Sequence, residues 1–444
     1  MEIRLSSHFT YGKLARFTLP SVAMMIFTSV YGVVDGYFVS NFAGKTAFAS
    51  VNLIMPVLMI LSTSGFMLGT GGTALVAKTL GEGDKKEANS LFSLFVYTAA
   101  ILGTILSFLG FIFIRPLAAL LGASEELLDK SVLYARIILL TLPFMSLQVI
   151  FQSFFVAAEK PKLGFFVTLI SGVTNMILDA VLCILLPEEY KLTGAAVATA
   201  VSQFLGGLFP LIYFAKKNDS LLRLGKTRFN GKAILKGCTN GSSEFMTNIS
   251  MSVVSMLFNI QLLKYAGENG ISAYGVMMYV SMIFTAAFVG YSIGISPVIS
   301  YNFGAKNQTE MKNLLRKSLY ICIIAGAIMA LSAETLAVPL ANLFVGYDNT
   351  LKELTVSGFR IFSVTFVFIG FGIFASGFFT ALNDGLTSAI ISFVRTLVLE
   401  SAAVLLLPLI FGIDGIWFST VIAELLAFAL GISFLVQKRK RFGY

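Results

Sequence analysis

Residues 14–39 read LARFTLPSVAMMIFTSVYGVVDGYFV, and no side chain between Arg16 and Asp35 carries a charge. An α-helix rises about 1.5 Å per residue, so about 20 apolar residues cross the hydrocarbon layer of a bilayer. The stretch therefore reads as a membrane span with one acid inside it. Eleven further runs of the same kind follow, near 50–77, 89–114, 131–157, 163–186, 193–215, 237–263, 271–300, 318–340, 354–381, 386–411 and 415–436. Composition agrees: of 444 residues 57% are hydrophobic and 12% charged, with a mean hydropathy of +0.85. A soluble domain carries about a quarter charged residues, and a disordered chain combines low hydrophobicity with high net charge. Lipid offers backbone amides no partner and the alternation of a barrel strand is absent, which leaves the helix as the spanning form. The expected fold is all-α and polytopic, with twelve transmembrane helices.

The formal net charge of +9 takes its meaning from where it sits. The N-terminus, the even-numbered loops and the C-terminal tail hold 23 of the 32 Lys and Arg residues, including Lys216, Lys217, Arg223 and the run Lys438-Arg439-Lys440-Arg441. The odd-numbered loops hold six: Lys45, Arg115, Lys130, Lys191, Lys264 and Lys352. Arg136, Arg360 and Arg395 fall inside or at the edge of helices. Basic residues concentrate in cytoplasmic loops, so both termini are expected in the cytoplasm of a cell-membrane protein. Charge distributed this way sets orientation; the expected partner is the lipid bilayer, not nucleic acid. The first run follows Glu2, Arg4, Lys13 and Arg16 and lacks a clear cleavage site, which reads as a retained first helix. Cys183, Cys238 and Cys322 show no paired spacing.

Shifted on itself by about 223 positions, the chain repeats its landmarks. Ala43-Gly44 meets Ala266-Gly267, Gly81 meets Gly304, and Pro116-Leu117-Ala118 meets Pro339-Leu340-Ala341. With one residue of drift, Arg136 meets Arg360 and Phe154-Phe155 meets Phe378-Phe379. Six helices in each copy make the repeats parallel, related by an axis along the membrane normal with the substrate path between them. The expected organisation is an N-terminal lobe over 1–215, a basic linker over 216–236, and a C-terminal lobe with its tail over 237–444.

Ionisable groups inside a membrane cost several kcal/mol unless paired or hydrated, so they mark function. Asp35 is the sharpest of them, and its repeat position holds Phe258, so the fold itself does not demand an acid there. Such a carboxyl can load and release a proton or sodium ion; a polar contact between helices is the alternative reading. Asn175 and Asp179 lie four apart on helix five, hence on one face. Hard oxygen ligands of this kind suit a small cation, and Thr199 on helix six adds a hydroxyl. Pro20, fifteen residues before Asp35, removes a backbone hydrogen bond and favours a bend. Glu244, Glu400 and Glu424 either face a cavity or pair structurally. Glu159 is placed near the cytoplasmic end of helix four, as a gate or a solvated cap. The single histidine, His8, lies in the polar N-terminus, and Gly69-Thr70-Gly71-Gly72 lacks the Lys-Ser/Thr of a phosphate loop. No enzyme signature and no cofactor are expected.

These residues resemble the MATE family, the multidrug and toxic compound extrusion transporters. The likeness is carried by Pro20 with Asp35, Asn175-x-x-x-Asp179, Gly194-Ala195-Ala196-Val197-Ala198-Thr199 and the LGEGD loop at 80–84. Ala157-Ala158-Glu159-Lys160-Pro161 and Asp179 are similar to the MepA-like bacterial branch, close to the DinF-type group. The resemblance implies cation-coupled export, with Asp35, Asn175, Asp179 and Thr199 forming the ion-coupling network of the N-terminal lobe and the coupling ion H⁺ or Na⁺. It implies alternating access, a monomer, and roles in cargo binding or gating for Pro20, Glu159 and Glu244. Helix ten carries no carboxylate, which sets aside a NorM-type cation site in the second lobe. Hydrophobic organic cations are the expected cargo, since Asp35, Asp179 and Glu244 are the candidate cavity groups. A flippase for a lipid-linked or amphipathic substrate is the alternative within transport, and an intramembrane enzyme the alternative outside it.

Overall fold

The structure is a computed structural model, and it describes residues 3–121, 125–346 and 348–444; Glu2 lies outside them. Among the described residues there is no strand. Six long helices make the first half: α1 (Tyr11–Ala43), α2 (Lys45–Gly81), α3 (Lys85–Leu120), α4 (Glu125–Ala157), α5 (Pro161–Leu185) and α6 (Glu188–Ala215). Residues 216–230 then run along α3, where Asn89 Oδ1 accepts from Arg223 N at 2.6 Å and Ser93 Oγ from Gly225 N at 3.0 Å. A short helix, α7 (Gly231–Asn240), precedes α8 (Ser242–Gly267), α9 (Asn269–Gly304) and α10 (Gln308–Val345). Next come α11, in two segments (Asn349–Ser363 and Thr365–Ala381) bent by 46°, α12 (Gly385–Phe411) and α13 (Ile413–Phe442). Among the described residues eleven helices are long and apolar enough to span a membrane, and the bent α11, taken as one span, makes twelve.

One expectation is corrected. The run near 237–263 is not one helix, because the chain breaks at Gly241 between α7 and α8. The local sequence Gly237-Cys238-Thr239-Asn240-Gly241-Ser242 is poor in helix formers. Gly241 is also required where it lies, since a Cβ there would collide with the Met67 carbonyl oxygen of α2.

The repeat is visible in the backbone. α4 packs against α2, α3 and α6, and its counterpart α11 packs against α9, α10 and α13. Left-handed turn residues recur at matching places: Gly44 and Gly267 (φ 91° and 60°), Gly83 and Lys306 (90° and 54°), Glu159 and Asn383 (62° and 59°). The helices that follow two of these turns are capped alike. Asp84 accepts from Glu87 N at 2.9 Å, and Asn307 from Glu310 N at 3.1 Å. Each cap satisfies a backbone donor that the helix itself cannot.

The halves touch through glycine. A Cβ at Gly81 would strike the Tyr301 carbonyl, and a Cβ at Gly304 would strike the Lys78 carbonyl, so the two contacts are mates under the pseudo-twofold. α1 lies as close to α9: a Cβ at Gly290 would stand 2.6 Å from Val22 Cα, and one at Gly294 would stand 3.2 Å from Thr18 Cα. All of these contacts lie on the side carrying the chain termini. Toward the other side, Gly32 of α1 and Gly275 of α9 face open space. The halves therefore meet on the terminal side and part toward the opposite face.

A strap and a clamp tie the terminal face together. Leu5 N donates to Glu159 Oε1 of the first half at 2.6 Å, while Asn302 Nδ2 of the second half donates to Leu5 O at 3.4 Å. Buried Glu310 accepts from Phe9 N (2.9 Å) and Asn313 Nδ2 (2.8 Å) and pairs with His8 Nδ1 (2.6 Å). Lys438 of α13 pairs with Asp384 at 2.5 Å. Burial would raise the Asp384 carboxyl, but donation from Lys438 and Thr387 holds it below its ordinary value. A lowered carboxyl contributes stability at neutral pH and loses it as the pH falls through that value.

The glycine boundary makes a direct expectation. Gly241→Val should cost about 1–3 kcal/mol or more by overpacking and lower the melting temperature of the purified protein. Gly275→Ala, whose Cβ meets nothing within 4 Å, should leave it unchanged or raise it slightly through helix propensity. Equal melting temperatures for the two variants would contradict the close contact at Gly241.

Candidate functional site

Asp35 lies two turns from the far end of α1, half-buried against α5 and α6. Gly172 of α5 lets α1 come this close, since a Cβ there would stand 2.8 Å from the Tyr31 ring. Across the gap, Thr199 Oγ1 donates to Asp35 Oδ1 and Asn175 Nδ2 donates to Thr199 Oγ1, each at 3.4 Å. Asp179, one turn along α5, is fully buried and lies within interaction range of Asp35. Both Asp179 oxygens and Asn175 Oδ1 are buried without a hydrogen-bond partner among the described residues. The four residues singled out from the sequence are thus gathered at one place, where unsaturated hard oxygens converge.

Two tyrosines complete the group and were not singled out. Tyr31 sits one turn before Asp35, and buried Tyr134 of α4 lies within electrostatic reach of both carboxyls. The four-residue spacing on α1 could have pointed to Tyr31; nothing in the pattern around Tyr134 marks it. A pocket of about 40 Å³ beside the cluster is lined by Tyr134, Thr199, Gln203, Met55 and Met59.

The boundary between the halves holds a separate cavity of about 80 Å³. Thr70, Thr73 and Ser153 line it from the first half, and Glu244, Thr247, Ser292, Ser376 and Arg395 from the second. Asp35 and Asp179 do not line it, contrary to their expected place among the cavity groups; α1 turns Asp35 toward α5 and α6 instead. Glu244 does, from the first turn of α8, and its carboxylate has no hydrogen-bond or ion-pair partner among the described residues. A drug-sized ligand fills about 300 Å³ or more, so cargo of that size enters only when the halves separate further.

Arg395 is held by Glu424. Its Nε donates to both carboxylate oxygens at 2.9 and 3.0 Å, and its second guanidinium nitrogen lies 2.8 Å from Oε1. Gly372 of α11 makes the room, since a Cβ there would stand 2.8 Å from Arg395 Nε. Arg395 sits in a π-helical turn, Val394–Leu399, a local widening common at functional sites. Glu424 therefore pairs structurally, and an intramembrane base without an acid one turn away was the signal that it must pair between helices.

The remaining candidates fall on α1 and on the contact that holds the N-terminal strap. α1 runs unbroken through Pro20, next to the point where Gly290 presses on Ser21 and Val22. Glu159 holds the N-terminal strap through Leu5 N, so it is not a solvated cap.

Comparison with known proteins identifies the scaffold. The sequence profile of the MatE family matches twice, at residues 20–181 and 245–406, in two segments of equal length. The multidrug export protein MepA of Staphylococcus haemolyticus is 27% identical, with 96% of this chain and 94% of the relative aligned. MepA of Staphylococcus aureus strain MRSA252 is 25% identical over the same shares of the two chains. A crystal structure of a MATE protein in complex with MaL6 superposes with a TM-score of 0.91 at 21% identity, covering 97% of this chain and 96% of that one. The outward-facing conformation of a MATE family multidrug resistance transporter also gives 0.91, at 22% identity and the same coverage. Twelve spans, a doubled backbone and two family segments lead to one conclusion: this chain belongs to the MatE family of multidrug export transporters, and it is a membrane carrier, not an enzyme.

Proposed function

We propose that this chain, acting as a monomer in the cell membrane, exports hydrophobic organic cations in exchange for H⁺ or Na⁺. The observation that carries the reading is the set of buried, unpartnered oxygens on Asn175 and Asp179 beside Asp35. Water-free polar groups normally find partners, and an unsaturated oxygen cluster in lipid is a seat for a cation. Two neighbouring carboxylates repel, and one proton or one sodium ion between them relieves that repulsion. Binding at the pair thus changes the charge of the α1–α5 contact once per cycle.

Alternating access follows from the packing. The basic-residue bias supports a cytoplasmic terminal face, which makes this the outward-open form. Ion binding at Asp35 alters α1 where it lies on α5. α1 then rearranges around Pro20, where its hydrogen-bond ladder lacks one donor, and shifts on the Gly290–Gly294 face of α9. The strap residues from Leu5 to Phe9 move with it, so Glu159 and Glu310 let go or re-form as the cytoplasmic side opens and closes. Cargo would be read in the cavity between the halves. There the unpaired carboxylate of Glu244 favours a cation, while Arg395 is neutralised by Glu424. A lipid-pyrophosphate substrate would call for unpaired bases at that place, which argues for drug cations over the flippase reading.

Proteoliposomes loaded with an ethidium-type dye test the coupling. Dye export should follow an imposed pH gradient or an imposed sodium gradient applied separately, and export driven by neither would overturn the exchange mechanism. In the same assay Asp35→Asn should abolish gradient-driven export while the protein stays folded and inserted, because an amide keeps size and hydrogen bonding but cannot exchange its charge. Asp179→Asn should be nearly as damaging. Thr199→Ala should be milder, about fivefold, the effect of one hydrogen bond of about 1 kcal/mol. A wild-type rate for Asp35→Asn would move the coupling site elsewhere.

Glu244 has its own signature. Glu244→Gln should weaken binding of a monovalent organic cation by about tenfold, a charge contact of ~1.4 kcal/mol, and leave a neutral isostere unaffected. Equal losses for cation and isostere would show that the side chain shapes the cavity without selecting charge.

A further inference from the structure

On the outer surface, between α10 and α13 and toward the terminal side, lies a groove of about 560 Å³. Its floor is Phe371 of α11 against Phe428 of α13, with ring centroids 4.5 Å apart. Leu319 lines one wall and Ile432 the other. Its rim at the terminal end carries three bases, Lys312 and Arg316 one turn apart on α10 and Arg439 on α13. Each wall runs twelve residues, eleven helical steps, from Lys312 to Ile323 and from Arg439 back to Phe428. That is about 16 Å of helix, the depth of one leaflet of a hydrocarbon layer about 30 Å thick.

The rim keeps a net positive charge. Among the described residues no acidic side chain lies within ion-pair distance of Lys312, Arg316 or Arg439. Glu310, two residues before Lys312, is engaged by His8 and Asn313, and Asp384 is engaged by Lys438, the neighbour of Arg439. Two of the three bases are held in position: the Arg316 guanidinium lies over the Tyr320 ring at 5.9 Å, and Arg439 Nε donates at 3.1 Å to a main-chain oxygen of Tyr444, the last residue of the chain. That contact offsets part of the Arg439 charge and leaves Lys312 and Arg316 as the main positive pair. Among the described residues Arg316 has no hydrogen-bond acceptor and Arg439 has no second one.

We propose that this groove binds one anionic phospholipid, with its phosphate held by Lys312, Arg316 and Arg439 and an acyl chain laid along Leu319, Phe371 and Phe428. A basic pocket between helices at the headgroup level recognises lipid charge, and an apolar slot of leaflet depth recognises the tail. A zwitterionic lipid fits the slot but brings its own cation to the rim, so the site selects the anionic class. The bound lipid braces α10 against α13 across α11, the central helix of the second half.

Native mass spectrometry of the full-length protein in detergent tests this, titrated with phosphatidylglycerol, with phosphatidylcholine of the same chains, and with glycerol phosphate. The wild type should retain one phosphatidylglycerol well above the level of phosphatidylcholine and should not retain glycerol phosphate. Replacing all three bases, Lys312→Gln, Arg316→Gln and Arg439→Gln, should weaken phosphatidylglycerol binding by about a hundredfold, about fivefold for each charge. Ile432→Trp fills the slot with the charges intact and should weaken it by about tenfold, the burial of two chain methylenes. The control Lys216→Gln, Lys217→Gln and Lys226→Gln removes equal charge from the linker and should leave binding unchanged. Wild-type affinity in both groove variants, equal retention of the two phospholipids, or an equal loss in the linker control would each overturn the proposal.

Discussion

Backbone touching backbone sets the geometry of this molecule. At Gly81 on Tyr301 and at Gly304 on Lys78, no Cβ can be added to the glycine without striking the partner's carbonyl. The two contacts are equivalent under the pseudo-twofold, so they fix the axis as well as the distance between the halves. Packed interfaces of this kind do not stretch gradually; they hold or they part. A transporter needs that property, since a boundary that yielded by degrees would leak. It also explains why the cavity between the halves is small and lined with hydroxyls. Short side chains such as Thr70, Ser153 and Ser292 are what fit where helices approach this closely.

Lipid divides the polar residues of such a chain into two kinds. Some are saturated: Arg395 takes both oxygens of Glu424, and Glu310 meets His8, Phe9 and Asn313. These hold helices together, and removing one partner would strand the other at a cost of several kcal/mol. Others are unsaturated, namely Asn175 and Asp179 in the first half and Glu244 at the boundary. An unsaturated group in this setting persists only if something outside the protein completes it. Ser21, Thr73, Ser146, Asn240, Thr365, Ser401 and Trp417 also keep a buried polar atom without a partner among the described residues, and Asp179 stands apart from them as a carboxyl.

Much of this could be read from the chain alone, for definite reasons. Twelve spans are legible because hydrocarbon thickness sets their length, and the repeat because Gly44, Gly81 and their mates Gly267 and Gly304 sit where the backbone admits no side chain. The convergence of Asp35, Asn175, Asp179 and Thr199 was legible as far as one-turn spacing and intramembrane polarity reach. The pairing of Arg395 with Glu424 was not, because partners 29 residues apart on different helices leave no periodic trace. Nor was the separation of the acid cluster from the cavity, which depends on the rotation of α1 about its own axis. The break at Gly241 had a local signal in Asn240-Gly241, and it escaped because a hydropathy run over 237–263 does not register so short an interruption.

The scaffold is doubled while its chemistry is not. At the position of Asp35, the second half carries Phe258, fully buried and stacked on Tyr274 of α9 at 5.0 Å with the rings 6° from parallel. At the position of Glu244, the first half carries Ser21. Each acid thus occurs once in a framework that could have held it twice. The aromatic stack keeps α8 on α9 by contacts that no ion can switch. The helix equivalent to α8, α1, instead meets α5 through carboxyl groups whose charge an ion can change. Under the proposed mechanism, symmetry supplies the two faces of access and the broken symmetry supplies direction, because only one of two equivalent helices responds to the gradient.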